Sequence, residues 1–250
     1  MSNAHRMRDR VVLVTGGGSG IGRATAIRLA SEGAHVAVSD LNLERASQVA
    51  GEILTAGGSA TATRLDVADR HSWNSVVASL IEERHRLDVL INNAGVTRDR
   101  TLLSMSDEEW DEVLSIHLRG TWLGCQTVLP QMREQRSGCI INTSSSGRHG
   151  SFGQVNYSAA KAAIVGLSKT VALEQARYGV RCNVISPGAI NTPMTQAVPE
   201  TVKVRWLEQI ALNRLGLPEE IAAGIAFLAS DDASYVTGHV LDINGGELHL

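Results

Sequence analysis

Tyr157-Ser158-Ala159-Ala160-Lys161 sets a phenol and an ammonium four residues apart, and Ser144 lies thirteen positions before the tyrosine. On a helix, positions i and i+4 share a face, about one turn apart. A phenol with a pKa of about 10 is a poor base at neutral pH. A neighbouring ammonium stabilises the phenolate, so the pair is expected to bring Tyr157 toward the range where it can take or give a proton. Taken alone, Tyr157 equally suits a packed helix tyrosine. Near the start of the chain, Thr15-Gly16-Gly17-Gly18-Ser19-Gly20-Ile21-Gly22 forms a glycine-rich turn between an apolar run and a helical pattern. Missing Cβ atoms let the chain turn sharply and let a pyrophosphate approach the backbone. The helix N-terminus adds N–H groups and a positive dipole end. Such turns also join strands to helices for packing alone. Together the two features point to a dinucleotide held beside a tyrosine that moves a proton.

The elements that must position these groups follow from patterning. Short β-rich apolar runs at 11–14, 35–39, 60–65, 89–91, 139–143, 181–185 and 240–243 read as strands. Helix-length stretches lie near 20–32, 42–57, 69–85, 107–135, 155–178 and 218–230. Near-continuous apolar strands alternating with helices imply a parallel sheet covered on both faces, and right-handed crossovers make it doubly wound. Residues 189–215 fit no strand and form the longest irregular stretch. They follow the sixth strand at its carboxyl end, where such sheets bind ligands.

The whole chain narrows the classes. Its 250 residues exceed an average domain but suit a single α/β unit, and no linker or repeat divides them. A net charge of −3 gives no basic field for nucleic acid. The first ten residues carry three arginines and a histidine without an apolar core, unlike a signal peptide or a membrane span. Cys125, Cys139 and Cys182 are scattered among apolar residues and read as reduced core thiols of a cytoplasmic protein. The eight histidines do not cluster with them, so no metal site is expected.

Six motifs occur in a fixed order: the Thr15–Gly22 turn, Asp66-Val67, Asn92-Asn93-Ala94-Gly95, Ser144, Tyr157 with Lys161, and Pro187-Gly188-Ala189-Ile190-Asn191-Thr192. On these, residues 11 to about 246 resemble the classical short-chain dehydrogenases/reductases. The Gly-x-x-x-Gly-x-Gly spacing is that family's own, not the Gly-x-Gly-x-x-Gly of the common fingerprint. The resemblance implies a Rossmann-like seven-stranded parallel sheet of order 3-2-1-4-5-6-7, with 189–215 as a substrate lid. It assigns Gly16, Ser19, Gly20, Ile21 and Gly22 to the dinucleotide, and Asp66 and Val67 to its adenine. Asn93, Ala94 and Gly95 pass close to the cofactor, although Asn92 and Asn93 also suit turn stabilisation. Pro187 and Gly188 break the chain, and the Ile190 backbone and Thr192 hydroxyl hold the nicotinamide amide and phosphate.

Asp40, eighteen positions after Gly22, would accept hydrogen bonds from the adenosine ribose and repel a 2′-phosphate. Ser19 and Leu41 stand where NADP-binding relatives carry a basic residue. NAD(H) is therefore favoured, with NADP(H) possible; Arg23 and Arg45 read as solvated helix residues. Asp40 also suits a strand-end cap, beside an Asn42 able to cap the next helix. In the chemistry that the resemblance implies, Tyr157 takes the alcohol proton while hydride leaves for the nicotinamide. Lys161 binds the nicotinamide ribose and lowers the Tyr157 pKa. Ser144, selected over Thr143, Ser145 and Ser146 by its spacing to Tyr157 and Gly147, stabilises the substrate oxygen. One departure is His117-Leu118-Arg119-Gly120, where the family reads Asn-Leu-x-Gly. The asparagine holds a water that relays protons toward the lysine. His117 can donate and accept, and would add a group titrating near neutral pH; it also suits plain packing against a backbone carbonyl.

Gly95–Arg100, Ser106–Trp110 and the segments Asn213–Gly216 and Asn244–Gly246 resemble 3-oxoacyl-(acyl-carrier-protein) reductases. His117–Gly120 and Ser151–Gln154 also resemble (3R)-hydroxyacyl-CoA dehydrogenase domains. Both imply interconversion of a secondary alcohol and a ketone on an acyl thioester. Arg133, Arg136, Arg177 and Arg181 are candidates to meet an acidic carrier, although helix ends commonly carry arginines. Met194, Val198, Val202 and Trp206 have roughly helical spacing and suit an apolar lid. Rival readings are a dehydrogenase of another small alcohol, sugar or steroid, and a non-catalytic dinucleotide-binding regulator; Ser144, Tyr157 and Lys161 argue against the latter. The resemblance also implies a homotetramer of 222 symmetry, with Gly120, Gly124, Ala159, Ala162, Ala163 and Gly166 at helix pairings or in internal packing. The tail from Glu247 to Leu250 would then reach a neighbouring subunit.

Overall fold

A computed structural model describes residues 6–196 and 198–247. Seven strands form: β1 Val11–Thr15, β2 His35–Asp40, β3 Ser59–Arg64, β4 Val89–Asn92, β5 Gly138–Thr143, β6 Val180–Pro187 and β7 Val240–Ile243. They pair in parallel throughout, in the order β3-β2-β1-β4-β5-β6-β7. The order reverses between β1 and β4, so their carboxyl ends open a crevice. Asp66 and Val67 follow β3 rather than end it.

The helices are α1 Gly20–Ser31, α2 Leu43–Thr55, α3 Arg70–Arg84, α4 Asp107–Leu114, α5 Gly120–Gln135, α6 Val155–Gln175, α7 Pro193–Gln196, α8 Glu200–Gln209 and α9 Pro218–Ala229. Their starts are chemically marked. Asn42 accepts from Arg45 N at 3.1 Å, Asp69 accepts from the amides of His71 and Ser72, and Ser106 with Glu109 closes a capping box. Two apolar cores sandwich the sheet, one including Leu29, Val49 and Ile225, the other Trp73, Leu80 and Val128. Trp73 is fully buried; its indole donates to the Val67 carbonyl at 2.9 Å, and its ring edge lies against Gly124. Loss of such a side chain costs about 3–5 kcal/mol, and Val67 belongs to the crevice wall described below.

The structure alters two sequence expectations. The single helix at 107–135 is interrupted by a π turn, Ser115–Arg119. A π turn shifts the helical phase locally, a device common at functional positions, and here it contains His117. The stretch 189–215 is not irregular throughout, since it carries α7 and α8. α8 buries no side chain, so tertiary packing leaves only a weak amphipathic trace of it in the sequence. Residues 248–250 of the tail lie outside the described residues.

Candidate active site

The glycine turn closes β1 onto α1. Gly16 and Gly20 have φ of +63° and +52°, a region that favours glycine. A Cβ on Gly22 would stand 2.0 Å from the Gly16 carbonyl oxygen, and one on Gly16 would stand 2.8 Å from Ala94 Cα. Asn93 ties the end of β4 to this turn, donating to the carbonyls of Thr15 and Gly16 at 3.0 and 3.2 Å. Ser19 precedes α1 without a side-chain cap bond, which leaves the first amides of the helix open to an anion. The Thr192 methyl lies 3.4 Å from where a Gly20 Cβ would be. Backbone cradle and open helix terminus together fit a diphosphate.

A cleft of about 420 Å³ runs across the carboxyl edge of the sheet. Gly16, Ser19, Gly20, Ile21, Asp40, Asp66, Val67, Asn93, Ala94, Gly95, His117, Ser144, Tyr157, Lys161, Pro187, Gly188, Ile190 and Thr192 all line it. Gly22 does not; it is buried in α1 and permits the turn instead. Ser145, Val96, Arg45 and Met194 also line the cleft. At the β2 end, Asp40 Oδ2 accepts from Gly18 N and Oδ1 from Asn42 N, both at 3.0 Å. Asp40 is thus a strand-end cap as well as a cleft carboxylate. Arg23 is neutralised by Glu52 at 2.5 Å. Arg45 lines the cleft and pairs with no carboxylate among the described residues.

Tyr157 and Lys161 share the buried side of α6 near its start. Asn156, fully buried, fixes that start by donating to the carbonyls of Arg98 and Glu109, both at 3.1 Å. Lys161 Nζ donates to the Thr143 carbonyl at 2.7 Å and lies 5.4 Å from the Tyr157 ring centroid. Burial pulls the Lys161 pKa down to about 7. Burial also pushes the Tyr157 phenol up, while a hydrogen bond with the Ser145 hydroxyl pulls it down. The expectation that Lys161 lowers the phenol pKa is therefore not met by these residues alone. Desolvation is the leading cause, the Asp99 charge adds to it, and the Lys161 ammonium is engaged with the Thr143 carbonyl rather than the phenol.

The structure turns Ser144 and Ser145 in different directions. Asn142 and Ser144, two residues apart, face α6: Asn142 donates to Ser168 at 2.9 Å, and Ser144 Oγ donates to the Lys161 carbonyl at 2.7 Å. Strand alternation turns the next residue the other way, so Ser145 is the serine that meets Tyr157. A Cβ on Gly147 would touch both Ser145 Oγ and the Tyr157 ring at 3.4 Å. Ser144 is 1% exposed and its hydroxyl is committed to backbone. Spacing from Tyr157 points to Ser144, whereas alternation from Asn142 points to Ser145.

His117 lies edge-on to Tyr157, ring centroids 5.2 Å apart, and occupies the space that Gly95 leaves. Its Nε2 is 2.8 Å from the Val96 carbonyl oxygen and 3.0 Å from the Val96 amide nitrogen, so either tautomer finds a partner there. Nδ1 is buried without a partner, as is Thr143 Oγ1 on the same cleft. Burial, reinforced by the Lys161 charge, pulls the His117 pKa down to about 3. Such burial favours the neutral imidazole rather than the group titrating near neutral pH that the sequence suggests.

The four arginines that are candidates to meet an acidic carrier do not line this cleft. Arg133, Arg136 and Arg177 gather round the Tyr178 ring, 4.7, 5.7 and 4.8 Å from its centroid. They precede the starts of β5 and β6, at the opposite edge of the sheet from the cleft. Arg181 donates to the carbonyls of Ser230 and Val236. Gly120 and Gly124 pack inward, against Val67 and Trp73, whereas Ala159, Ala162, Ala163 and Gly166 are exposed on α6. No helix among the described residues is long and apolar enough to cross a membrane.

Comparison with known proteins agrees with this geometry. Residues 16–247 match a family model described as Enoyl-(Acyl carrier protein) reductase. The 3-oxoacyl-(acyl-carrier-protein) reductase FabG of Thermotoga maritima is 44% identical over 242 residues, covering 96% of this chain and 98% of the relative. An uncharacterized oxidoreductase of Mycobacterium bovis is 43% identical over 244 residues, covering 97% of this chain and 98% of the relative. A crystal structure of levodione reductase superposes with a TM-score of 0.92 at 42% identity, covering 96% of this chain and 97% of that one. Cleft, tyrosine–lysine pair and relatives converge: the chain belongs to the short-chain dehydrogenase/reductase family, as an NAD(P)-dependent oxidoreductase that interconverts a secondary alcohol and a ketone.

Proposed function

We propose that the substrate is a 3-oxoacyl or 3-hydroxyacyl thioester carried by acyl carrier protein or coenzyme A. The observation that carries this reading is the convergence of Tyr157, Lys161 and Ser145 on one cleft in a chain 44% identical to reductases named for such substrates. The bound nicotinamide supplies or accepts the hydride. In reduction, the Tyr157 phenol gives its proton to the substrate oxygen; in oxidation it takes the proton back. Ser145 donates to the same oxygen and stabilises its developing charge. Lys161 holds the nicotinamide ribose. His117, neutral and with Nδ1 free, suits a water that passes protons between Lys161 and solvent. Residues 189–215, with α7 and α8, act as the substrate lid. The buried reduced thiols Cys125, Cys139 and Cys182 suit a cytoplasmic setting. A second reading, reduction of another small ketone, is favoured by the likeness to levodione reductase. A steady-state screen of 3-oxoacyl thioesters, 3-hydroxyacyl thioesters and small diketones separates the two by kcat/KM. With the preferred substrate, Tyr157→Phe should keep nucleotide binding and lose about 10²–10⁴-fold in kcat. Ser145→Ala should cost about 10²-fold and Ser144→Ala much less. A reversed order for the serines would restore Ser144 as the catalytic one.

NAD(H) is the cofactor we favour. Each Asp40 oxygen accepts one amide and retains a lone pair for a ribose hydroxyl, while a 2′-phosphate would meet the carboxylate. The unpaired Arg45 softens that repulsion, so discrimination is expected to be moderate. NADH should exceed NADPH in kcat/KM, and Asp40→Ala should narrow the ratio. Equal use of both cofactors by the unaltered protein would remove Asp40 from this role.

The low pKa of Lys161 has a stability consequence. Its folded value of about 7 lies below the ordinary 10.5, so between these values the unfolded chain holds a proton that the folded one lacks. Stability then rises with pH across that window, and burying the ammonium below it costs free energy. In the absence of nucleotide, Lys161→Met should unfold at a higher temperature at pH 7 and lose the pH dependence between about 7 and 10 that the unaltered protein shows. A parallel pH dependence in both proteins, followed by calorimetry, would place the titration elsewhere.

We further infer a homotetramer. Trp122 on α5 and Leu173 on α6 are 42% and 83% exposed, and α6 also exposes the small residues Ala159, Ala162, Ala163 and Gly166. A two-fold axis pairing these helices antiparallel would bring the Arg133–Tyr178 cluster of one subunit toward the cleft edge of the other, where an acidic carrier could use it. Light scattering at micromolar concentration should give about four times 26.7 kDa; the monomer mass would exclude this arrangement.

A further inference from the structure

The turn between β5 and α6 carries an arginine that the chemistry above does not use. Arg148 follows Ser145 by three residues, and its side chain is 13% exposed. Its two terminal nitrogens grip Asp242 of β7, at 2.8 Å to Oδ1 and 3.0 Å to Oδ2. The same guanidinium donates to the Ser186 hydroxyl of β6 and, at 3.4 Å, to the Ser145 carbonyl. The Arg148 amide donates to that carbonyl too, at 3.1 Å. One planar group thus joins the backbone of Ser145 to the last two strands of the sheet.

We propose that Arg148 is a positioning residue for the reaction: through Asp242 and Ser186 it holds Ser145 where the serine hydroxyl meets Tyr157 and the substrate oxygen. This rests on the reading of Ser145 as the serine at that oxygen. The chain on the two sides of Ser145 is held differently. On the N-terminal side, Ser144 is fixed by its amide to the Ile185 carbonyl at 2.8 Å and by its hydroxyl to α6. On the C-terminal side the chain enters a short 3₁₀ turn, Ser146–His149, with glycines at 147 and 150. The Ser145 hydroxyl accepts from Gly147 N at 3.1 Å, so its direction depends on where this turn sits. Arg148 ties the turn to β6 and β7. A lysine could pair with Asp242, but as a single point donor it cannot span a carboxylate, a hydroxyl and a carbonyl in one plane. A displacement of about 1 Å at a reacting group can cost about 100-fold in rate, so a small shift of this turn would be felt in turnover.

The test is a mutant cycle on the full-length protein with its preferred substrate and nucleotide. Arg148→Gln, Arg148→Lys and Asp242→Asn are each expected to lower kcat about 10- to 100-fold, with the nucleotide dissociation constant, read by fluorescence titration, within about twofold of the unaltered protein. In a Ser145→Ala background the same substitutions should lower kcat less than twofold further, because the group that they position is gone. Unchanged kcat in folded Arg148→Lys and Asp242→Asn variants would overturn the proposal. So would a full multiplicative loss in the Ser145→Ala background, which would mark a purely structural tie. Should Arg148→Gln fail to fold, the lysine and asparagine variants decide the matter. If Ser145→Ala itself leaves kcat unchanged, the reading of Ser145 fails, and a kcat loss in Arg148→Lys would then have to act through another group, which also overturns the proposal.

Discussion

Two stretches of main chain at the crevice lie closer than any side chain would allow. The Gly16 carbonyl oxygen occupies the place of a Gly22 Cβ, and Ala94 Cα sits within 2.8 Å of the place of a Gly16 Cβ. This contact docks α1 on β1 and brings the end of β4 against the same turn, with Asn93 bonding across the gap. Everything at the carboxyl edge is referenced to it. The start of α1 carries no side-chain cap, and Thr192, after β6, comes against Gly20. Glycine is required here by contact distance as well as by φ.

The reacting groups are held at an electrostatic cost. Lys161, His117 and Tyr157 are all withdrawn from water, and each pKa moves toward the neutral form. A buried ammonium with one carbonyl partner, a neutral imidazole with one free nitrogen and an unpartnered threonine hydroxyl make a site with spare hydrogen-bonding capacity. Such capacity is unfavourable in the protein alone and is satisfied by a polar ligand or bound water. The fold supplies the stability that tolerates it, through two apolar cores on either side of the sheet and a polar ladder, Asn92 to Asn142 to Ser168, beneath α6.

Much of this was legible in the sequence because it depends on local rules. Apolar runs of three to six residues alternating with helical periods specify a parallel doubly wound sheet, and chirality leaves few ways to connect it. Glycines at 16, 20 and 22 mark a turn by their missing side chains, and Tyr157 with Lys161 shares a face by helical geometry alone. Asn42 announces its helix by capping chemistry.

What the sequence could not decide was which way a side chain turns once strands and helices are packed, and how much water that packing removes. Ser144 and Ser145 are identical in type and adjacent, so only the alternation of β5 against α6 separates them. A histidine's ordinary pKa is all that the sequence offers for His117; the pull down to about 3 comes from its burial in the fold and from the Lys161 charge. Arg133, Arg136 and Arg177 are charges of the right kind for a carrier, but the topology sets them at the edge of the sheet away from their own cleft. The sequence by itself determined the elements, the cradle and the chemistry available. The tertiary structure decided direction, solvation and distance, because these depend on contacts between residues far apart in the chain.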